Sequence, residues 1–511
     1  MKVTLVRPAS IFSLNSPTPD VPPIGLAYLA SALKKAGHSV AGVDGLGEAL
    51  SQWDKVDGWP EVVRHGLSTP EIVRRIPEDT DLIGVRCMFS ATWPYVRQVI
   101  EAIREGFPHV PIVVGGEHAT ALPAYILDTC QAVDYCIRGE GERALTILAD
   151  VLAESGDAWD LHEQVPGIVL RIDGLIVCGP EPERIRRVDE IPEPDWSVFP
   201  IREYLDHGYR YGGGVGRSMP ILATRRCPYK CAFCSSPRMW TTLWRARAPE
   251  EVVREMKKYI DEYHVDSFDF YDPTAILRKD WIIEFSKRVI RDLPPVVWQL
   301  ASGTRSEALD AETIGYMCES GCRNITYAVE SANEKTLVLI RKKIDPKKML
   351  VSMRAACANN IEVKSHFLIG FPGEKKRDTL DNTRFLIKMA RIGVQDITCS
   401  PFFPYPGSEL FMRLEDEGRI ALNNDYFRSL FDYPAHLRVE SYSEYMSGSF
   451  IRNWNIANVA IFYAVSFIFH PVKAWHLVRN VFIRRHPVSW LERAIFRMVI
   501  QRWSIKRDLS P

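Results

Sequence analysis

Three cysteines stand close together in one short segment of the sequence, Cys227, Cys231 and Cys234. Thiolates hold iron–sulfur clusters, which ordinarily take four of them. A structural zinc site also takes four ligands, and no fourth cysteine or histidine lies near this segment in the sequence. Three thiolates leave one iron of a [4Fe–4S] cluster open to a reacting ligand, as catalytic zinc sites keep one open position. The spacing therefore predicts a cluster that takes part in chemistry.

Two glycine-rich runs in the N-terminal part follow short apolar segments that have the composition of strands. The first run contains Gly115, Gly116, Glu117 and His118, and the second contains Gly139 and Gly141. Glycine allows the backbone to approach a ligand closely, so runs of this kind at strand ends suit a large flat ligand or a phosphate. Glycine turns are also common in any doubly wound sheet, so the runs alone do not identify a ligand.

The elements that must position these residues follow from the alternation of strand and helix patterns. Over the first 150 residues this alternation predicts a parallel, doubly wound sheet, whose ligands bind at the carboxyl ends of the strands. A β-hairpin is predicted from Ile168 to Val177, with its turn at Asp173-Gly174. A linker rich in proline and acidic residues then runs to Pro200.

A second series of alternating strands and helices begins at Pro220 and ends near Pro406. The predicted strands are 221–224, 267–271, 297–301, 324–329, 363–369 and 396–400. Six units of this kind predict a partial or full β/α barrel with its chemistry at the strand carboxyl ends. The cysteine segment begins just after the first of these strands. The predicted domains are 1–150, 151–212, 213–412 and 413–511, and the predicted fold class is α/β.

The cysteine spacing, its place after a strand and the aromatic Phe233 before the last cysteine resemble the radical S-adenosylmethionine (SAM) family. The resemblance implies that the three cysteines bind a [4Fe–4S] cluster and that SAM chelates the remaining iron. It also implies that segments after later strands bind SAM. The residues assigned to this role are Phe233, Tyr271, Asp272, Arg305, Glu330 and Gly370.

Two of these assignments, Glu330 and Gly370, have open questions. Ala328 stands where the family usually has glycine, which leaves the conformation of the loop before Glu330 undetermined. A structural ion pair is the alternative to a contact between Glu330 and the methionine or ribose part of SAM. An ordinary strand-end turn explains Gly370 equally well.

The two glycine runs and the opening loop with Pro22, Pro23 and Gly25 resemble the cobalamin-binding domain of class B radical SAM methylases. The likeness spans roughly residues 1–420. It implies a Rossmann-like domain in which Gly115, Gly116, Glu117, His118, Gly139 and Gly141 bind cobalamin. The axial-histidine motif of other cobalamin proteins is absent from the sequence. We therefore expect no protein histidine at the lower axial position, and His118 is expected to shape its loop.

Together the two resemblances imply a cobalamin-dependent radical SAM methyltransferase with [4Fe–4S], SAM and cobalamin as cofactors. No single catalytic side chain is assigned. The layout is similar to that of hopanoid C-methylases, which implies methylation of a hopanoid or another polycyclic lipid, with flavodoxin or ferredoxin as the electron donor. The alternatives are a ring-forming enzyme of the porphyrin cyclase type, a methylase of a peptide or antibiotic intermediate, and a non-catalytic electron-transfer or sensor protein.

The C-terminal region is predicted to be helical and differs in composition. Ile456 to His470 is almost wholly apolar, but its 15 residues fall short of the about 20 that span a bilayer. From Pro471 to Pro511 there are nine Lys or Arg and two Asp or Glu. The basic and aromatic residues are Trp475, Arg479, Phe482, Arg484, Arg485, Trp490, Arg493, Phe496, Arg497, Arg502 and Trp503. Their interleaving favours a helix in a membrane interface, and the alternative is a helical cap on the barrel.

The overall composition of the 511 residues is that of a folded globular protein, with 46% hydrophobic and 25% charged residues. The formal net charge is zero, so nothing in the charge favours a nucleic-acid partner. The cysteines outside the cluster segment are mostly single and lie in apolar runs, which is typical of buried thiols in a reducing compartment. The sequence begins without a secretory pattern. We therefore expect a cytoplasmic protein that binds a hydrophobic small molecule and attaches peripherally to the inner face of a membrane.

Overall fold

The computed structural model describes residues 1–13, 20–56, 58–154, 156–185, 187–211, 216–274, 276–305, 309–432, 439–485 and 490–496. The predicted tail positions Arg497, Arg502 and Trp503 lie outside this part of the chain. The chain divides into two compact units. The first comprises residues 1–210, 224–248 and 403–438, and the second comprises 211–223, 249–402 and 439–511. The cysteine segment therefore belongs to the same unit as the N-terminal residues.

Strands and helices alternate through most of the described residues. In chain order, the strands are β1 (Lys2–Arg7), β2 (Ser10–Ser13), β3 (Ser39–Asp44), β4 (Trp53–Val56), β5 (Trp59–His65), β6 (Leu82–Arg86), β7 (Ile112–Gly115), β8 (Tyr135–Ile137), β9 (Ile168–Ile172), β10 (Leu175–Cys178), β11 (Ser218–Ile221), β12 (Thr224–Arg225), β13 (Arg245–Ala246), β14 (Ser267–Phe270), β15 (Val297–Thr304), β16 (Cys322–Glu330), β17 (Glu362–Ile369) and β18 (Asp396–Pro401). In chain order, the α-helices are α1 (Ile24–Lys35), α2 (Thr69–Arg75), α3 (Trp93–Gly106), α4 (Glu117–Ala121), α5 (Pro123–Thr129), α6 (Gly141–Ala153), α7 (Ala158–Gln164), α8 (Ile201–Asp206), α9 (Ser236–Trp240), α10 (Pro249–Tyr263), α11 (Lys279–Asp292), α12 (Ala311–Glu319), α13 (Glu334–Leu339), α14 (Pro346–Ala358), α15 (Thr379–Ile392), α16 (Glu409–Asp416), α17 (Asn424–Asp432), α18 (Gly448–Phe469), α19 (Pro471–Val478) and α20 (Trp490–Phe496).

The first unit is built on a seven-stranded sheet in the order β10-β9-β8-β7-β6-β1-β3. Strands β8, β7, β6, β1 and β3 are parallel to one another. The hairpin β9–β10 extends the sheet in antiparallel pairing. Strands such as β1 and β6 are buried along most of their length, as continuous apolar runs in a parallel sheet require. This confirms the predicted parallel sheet and the predicted hairpin.

A separate antiparallel sheet in the order β2-β5-β4 was not predicted from the sequence. Its strand β2 lies in the proline-containing stretch between β1 and Pro23, where composition indicates a loop, and it pairs with β5. His65 at the end of β5 is buried, stacks on Trp53 with 3.8 Å between ring centroids, and lies 2.6 Å from the Asp20 carboxylate. These contacts join segments that are far apart in sequence, so local composition does not reveal them.

The second unit contains six parallel strands in the order β11-β14-β15-β16-β17-β18, an open sheet that confirms the predicted partial barrel. Its first strand, Ser218–Ile221, begins and ends three residues earlier than the predicted strand 221–224. Thr224 instead begins β12, which pairs with β13 in an antiparallel ribbon. The strand ends early because the Ala223 amide donates a hydrogen bond to Asp272, 3.3 Å away, and not to a neighbouring strand.

The apolar C-terminal segment forms part of α18, which is 22 residues long and therefore extends beyond the predicted apolar run. Among the described residues, no single helix has both the length and the hydropathy of a membrane span. Helix α18 and the segment Pro471–Ile483 satisfy those criteria only when taken together, and they are bent by 110° relative to each other.

Candidate functional site

The three cysteines lie on an irregular loop of the first unit, between β12 and α9. Their side chains are half-buried, and all eleven cysteines, each within the described residues, are outside disulfides. The Cys234 amide donates to the Cys231 carbonyl oxygen at 3.1 Å, which closes a turn between two of them. Across the described part of the chain, no three His, Cys, Asp or Glu side chains form a preassembled ion site. Three thiols within eight residues are nevertheless the donor set that an iron–sulfur cluster uses.

Residues 406–410 of the first unit hold the cysteine loop in place through backbone contacts. The Ala232 carbonyl oxygen accepts a hydrogen bond from the Leu410 amide at 3.0 Å. The Ser235 hydroxyl donates to the Pro406 carbonyl oxygen at 2.8 Å. Gly407 between these contacts has a φ of 83°, a left-handed conformation that favours glycine. The loop therefore has defined backbone partners on both sides of its last cysteine.

Two arginines directly before the first cysteine form ion pairs with the second glycine run. Arg225 lies 2.6 Å from the Glu142 carboxylate and 3.5 Å from that of Glu140. Arg226 is buried and donates a short hydrogen bond to Glu140 and another, 3.3 Å long, to the Ile185 carbonyl oxygen. These contacts connect the cysteine loop with the loop between β8 and α6.

The opposite charges in this network of Arg225, Arg226, Glu140 and Glu142 stabilise one another. Burial lowers the pKa of Arg225, but Glu142, Tyr28 and Glu140 together outweigh burial and raise the pKa above its ordinary value. The Arg225 guanidinium also lies over the Tyr28 ring, 5.1 Å from its centroid. Arg226 has a φ of 74°, a conformation that costs a non-glycine residue about 1–3 kcal/mol. The ion pair with Glu140 holds Arg226 in that conformation.

The two glycine runs lie together at the carboxyl ends of β7 and β8. The Thr120 hydroxyl accepts from the Gly139 amide at 3.0 Å and donates to the Gly116 carbonyl oxygen at 2.8 Å. Gly116 has a φ of 112°, and a β-carbon there would lie 2.5 Å from the Cys87 carbonyl oxygen. A β-carbon on Gly115 would meet nothing within 4 Å, so there is room beside this strand end. Open space next to glycine backbone at a sheet edge suits a large flat ligand such as cobalamin.

The side chains of the first glycine run point to different roles. Burial raises the pKa of Glu117, although a hydrogen bond from Trp240 in α9 opposes the rise, so this carboxyl also contacts the segment after the cysteines. His118 is buried, and burial lowers its pKa to about 3, which keeps the imidazole neutral. Its Nδ1 lies 2.9 Å from the Ser90 hydroxyl. The hydrogen bond and the neutral ring fit the expected loop-shaping role.

In the second unit, the residues assigned to SAM follow the carboxyl ends of parallel strands and so share one edge of the sheet. Tyr271 and Asp272 follow β14, where the Tyr271 amide donates to the Ile221 carbonyl oxygen at 3.0 Å. Asp272 and Arg305 are both buried. Buried polar side chains at this edge are fixed in place, as a site for a charged cofactor requires.

The end of β16 shows how Ala328 is accommodated and what Glu330 contacts. A β-carbon on Gly303 would lie 2.6 Å from the Ala328 β-carbon, so alanine is accommodated because its neighbour in β15 is glycine. Glu330 has a φ of 60° and lies 3.2 Å from the Lys342 ammonium in a largely buried ion pair. The alternative of an ion pair for Glu330 is thus present in the structure. The Oε1 atom of Glu330 makes this contact, and its second carboxylate oxygen can accept a further hydrogen bond.

The fifth strand ends in a turn that is built around a buried carboxyl. Gly370 has a φ of 102°, and its amide donates to the Glu374 carboxylate at 2.7 Å. The Phe371 amide donates to the same oxygen at 3.3 Å. Burial raises the pKa of Glu374 to about 7, against the lowering effect of these hydrogen bonds. The turn predicted at Gly370 is present, and Glu374 determines its shape.

Two residue sets important to these sites were missed in the sequence analysis. The pairs of Arg225 and Arg226 with Glu140 and Glu142 join positions more than eighty residues apart. The only sequence signal was the adjacent arginines before Cys227. Lys342, the partner of Glu330, follows helix α13 in a run of basic residues that gives no sign of a buried position.

Comparison with known families assigns both parts of the chain. Residues 13–149 match the B12 binding domain, and residues 221–386 match the Radical SAM superfamily. The first match includes both glycine runs, and the second includes the three cysteines. The order of the two matches is the predicted one.

Several curated proteins are similar over most of this chain. An uncharacterized methyltransferase of Pyrococcus horikoshii is 28% identical over 80% of this chain and 82% of its own length. An anaerobic magnesium-protoporphyrin IX monomethyl ester cyclase of Cereibacter sphaeroides is 27% identical over 78% of this chain and 61% of its own. The hopanoid C-3 methylase of Methylococcus capsulatus is 24% identical over 84% of this chain and 75% of its own.

A solved structure has a similar fold along nearly the whole chain. It is the radical SAM methyltransferase TsrM of Kitasatospora setae, determined with cobalamin and a [4Fe–4S] cluster bound. The TM-score is 0.62 at 16% identity, with 91% of this chain and 88% of that chain covered. This likeness confirms the predicted α/β fold class.

The ion pairs beside the cysteine loop predict a large effect for Glu140→Ala. Because the substitution leaves the buried Arg226 without its carboxylate, we expect the free energy of unfolding of the first unit to fall by roughly 3–5 kcal/mol. The matched control is Glu183→Ala, which removes an exposed ion pair with Arg143 and should cost about 0–1 kcal/mol. Urea unfolding measures both. Equal effects of the two substitutions would contradict a structural role for the Glu140 pair.

The raised pKa of Glu374 predicts a pH-dependent stability of the second unit. Between its ordinary value of 4.5 and the folded value of about 7, the folded protein keeps a proton that the unfolded chain releases. The free energy of unfolding should therefore fall as pH rises through this window, by about 3 kcal/mol in total. Glu374→Gln should remove that loss while keeping an acceptor for the Gly370 amide.

The measurement is the unfolding free energy as a function of pH for both proteins. Glu444→Gln is the control, because Glu444 also accepts a backbone amide hydrogen bond, from Gly373 at 2.7 Å, but from an exposed position. An unchanged pH profile in Glu374→Gln would show that Glu374 does not titrate in this window.

Proposed function

We propose that this chain, which belongs to the cobalamin-dependent radical SAM methylase family, adds a methyl group to an unactivated carbon of a hopanoid or another polycyclic lipid. Its cofactors are a [4Fe–4S] cluster, SAM and cobalamin. The observation that carries the proposal is the direct connection between the cysteine loop and both glycine runs in one compact unit. A loop that holds a cluster and a sheet edge that holds cobalamin must be fixed relative to each other if one substrate is to meet both cofactors.

The residues proposed to hold the cluster are Cys227, Cys231 and Cys234, whose thiolates suit iron. When bound, the cluster and SAM supply a radical that removes a hydrogen atom, and cobalamin supplies the methyl group. The chain itself binds and orients these groups and excludes water from them. For SAM we propose Phe233 beside the cluster and the strand-end residues Tyr271, Asp272, Arg305, Glu330 and Gly370.

For cobalamin we propose the edge formed by the two glycine runs. Gly115 and Gly116 at the end of β7, and Gly139 and Gly141 after β8, give the backbone access that a corrin ring needs. Glu117 and His118 shape the first loop through their contacts with Trp240 and Ser90. No histidine is assigned to the lower axial position, in keeping with the absent sequence motif.

The proposed substrate class rests on two supports. The similarity to the hopanoid C-3 methylase covers 84% of this chain. The C-terminal helices also expose large apolar side chains, including Ile468 and Trp475, where a hydrophobic substrate can be taken up. Ring formation of the cyclase type is the second candidate, favoured by the 27% identity to the porphyrin cyclase. A small electron carrier such as flavodoxin or ferredoxin is the proposed reductant for either reaction.

The cluster assignment predicts that Cys231→Ala loses iron and sulfide and no longer cleaves SAM to 5′-deoxyadenosine under anaerobic, reducing conditions. The reason is that the two remaining thiolates, of Cys227 and Cys234, are too few to hold the cluster. Cys178→Ala is the matched control, because Cys178 is exposed and far in sequence from the cluster loop. Iron and sulfide analysis and chromatography of SAM products measure both effects. A full cluster and normal cleavage in Cys231→Ala would refute the assignment.

The substrate proposal predicts that label from methyl-labelled SAM enters a hopanoid when the reconstituted protein is incubated with the lipid, cobalamin and a reductant. Mass spectrometry of the extracted lipid gives the result. Label must depend on Cys231 and on added cobalamin. An unlabelled hopanoid with normal SAM cleavage would exclude this substrate, and a dehydrogenated or cyclised product in place of a methylated one would support the second candidate.

A further inference from the structure

Helix α18 has a buried face of mixed polarity and an outer face that is largely apolar. The buried face contains the polar residues Asn455, Asn458 and Ser466 beside the apolar residues Ile451, Phe462 and Tyr463. On the outer face, Ile456, Ala460 and Ile468 are exposed. The outward face of a surface helix in a globular protein is normally polar. The exposed apolar side chains of α18 are therefore expected to contact a partner that shields them from water.

Part of the buried face is hydrogen-bonded to other elements of the second unit, so α18 is part of the fold. The Thr383 hydroxyl donates to the Asn458 side-chain oxygen at 2.6 Å, and the Tyr463 hydroxyl donates to Asp396 in a short hydrogen bond. Just after the helix, the Lys473 ammonium donates to the carbonyl oxygens of Gly393 and Val394 at 2.8 and 2.9 Å. If α18 left the barrel to cross a bilayer, its two buried asparagines would enter hydrocarbon, which is costly.

The apolar exposure continues past the bend into α19 and the following turn. We call this surface the C-terminal apolar face and define it by Ile468, Phe469, Val472, Trp475, Phe482 and Ile483. Each of these side chains is at least 48% exposed, and Trp475 is 57% exposed. Exposed aromatic and aliphatic side chains at this density mark an interaction site. Their position on two helices bent by 110° suits contact with a broad surface.

The segment that carries this face is basic. From Met446 to Leu491 the sequence has five Lys or Arg and no Asp or Glu. Among these, Lys473 donates to backbone carbonyl oxygens, and the acidic residue that follows, Glu492, is buried and bonded to Asn480. Arg484 and Arg485 are exposed and directly follow the last residues of the face. Apolar side chains bordered by cations complement the interface of an anionic bilayer, where the rings enter the headgroup layer and the guanidinium groups meet phosphate.

We propose that the C-terminal apolar face binds the surface of an anionic lipid bilayer and lies in its interface without crossing it. The charge pattern selects a bilayer over a protein partner, and the hydrogen-bonded buried face of α18 excludes a spanning arrangement. The proposal does not depend on the substrate, since a methylase of a water-soluble molecule with this face would bind membranes equally well.

The test is flotation of the full-length protein with vesicles of phosphatidylcholine alone and of phosphatidylcholine mixed with phosphatidylglycerol. We expect binding to the mixed vesicles, weaker binding to the neutral ones, and loss of binding at high salt. Trp475→Ser should weaken binding roughly tenfold, as removal of a large interfacial aromatic side chain does. Arg484→Gln combined with Arg485→Gln should weaken it about tenfold or more on anionic vesicles only.

The matched control is Trp159→Ser, because Trp159 is 53% exposed in the first unit and lies outside the face. It should bind like the unchanged protein. Circular dichroism and SAM cleavage verify that each variant is folded. Absence of flotation with anionic vesicles, or equal losses for Trp159→Ser and Trp475→Ser, would overturn the proposal. A dimer in solution that Trp475→Ser converts to a monomer, without vesicle binding, would overturn it by assigning the face to a second copy of the chain.

Discussion

The buried ion pairs between Arg225 and Arg226 on one side and Glu140 and Glu142 on the other determine where the cysteine loop lies. The loop has little regular structure of its own, only the short ribbon β12–β13 before and after it. Its conformation therefore depends on contacts with other segments. Charges buried to this degree are stable only in pairs, so the two loops are held in one relative position. The hydrogen bond between Glu117 and Trp240 adds a second connection to the same sheet edge.

A geometric constraint, the shared direction of parallel strands, gathers the remaining site residues. In each unit the assigned positions follow carboxyl ends of strands, where neighbouring loops meet. Small residues make these ends compatible with one another. Gly303 leaves space for Ala328 in the adjacent strand, and Gly116 passes within contact distance of the Cys87 carbonyl oxygen. Adding a β-carbon at either glycine would displace a loop that holds a site residue.

Much of this arrangement could be predicted from local sequence. The elements that were predicted wrongly or missed have a common physical cause. The parallel strands, the hairpin at Asp173-Gly174 and the partial barrel were predicted because their apolar runs and turn residues are local signals. The three-stranded sheet around His65 was missed because two of its strands have only four residues and the third, Trp59–His65, contains Pro60. The first barrel strand was placed three residues too late, at 221–224, because composition does not show that the Ala223 amide bonds to Asp272.

Some residues of the candidate sites could likewise be predicted from local sequence, and others could not. Motif spacing identified the cysteines and the glycine runs, since both are local patterns. The Glu330–Lys342 pair and the arginine–glutamate network depend on tertiary contacts, which a single sequence does not specify. The burial of Asn455 and Asn458 on α18 was likewise hidden, because the sequence shows an apolar run without showing which side faces the barrel.

The central claim is that one substrate meets both cofactors in this chain, and the ratio of SAM products tests it most directly. Methylation by this route consumes one SAM as methyl donor and one as radical source. The account predicts that S-adenosylhomocysteine and 5′-deoxyadenosine form in equal amounts during turnover with the reconstituted protein and its substrate. Formation of 5′-deoxyadenosine without S-adenosylhomocysteine, with substrate consumed, would contradict it.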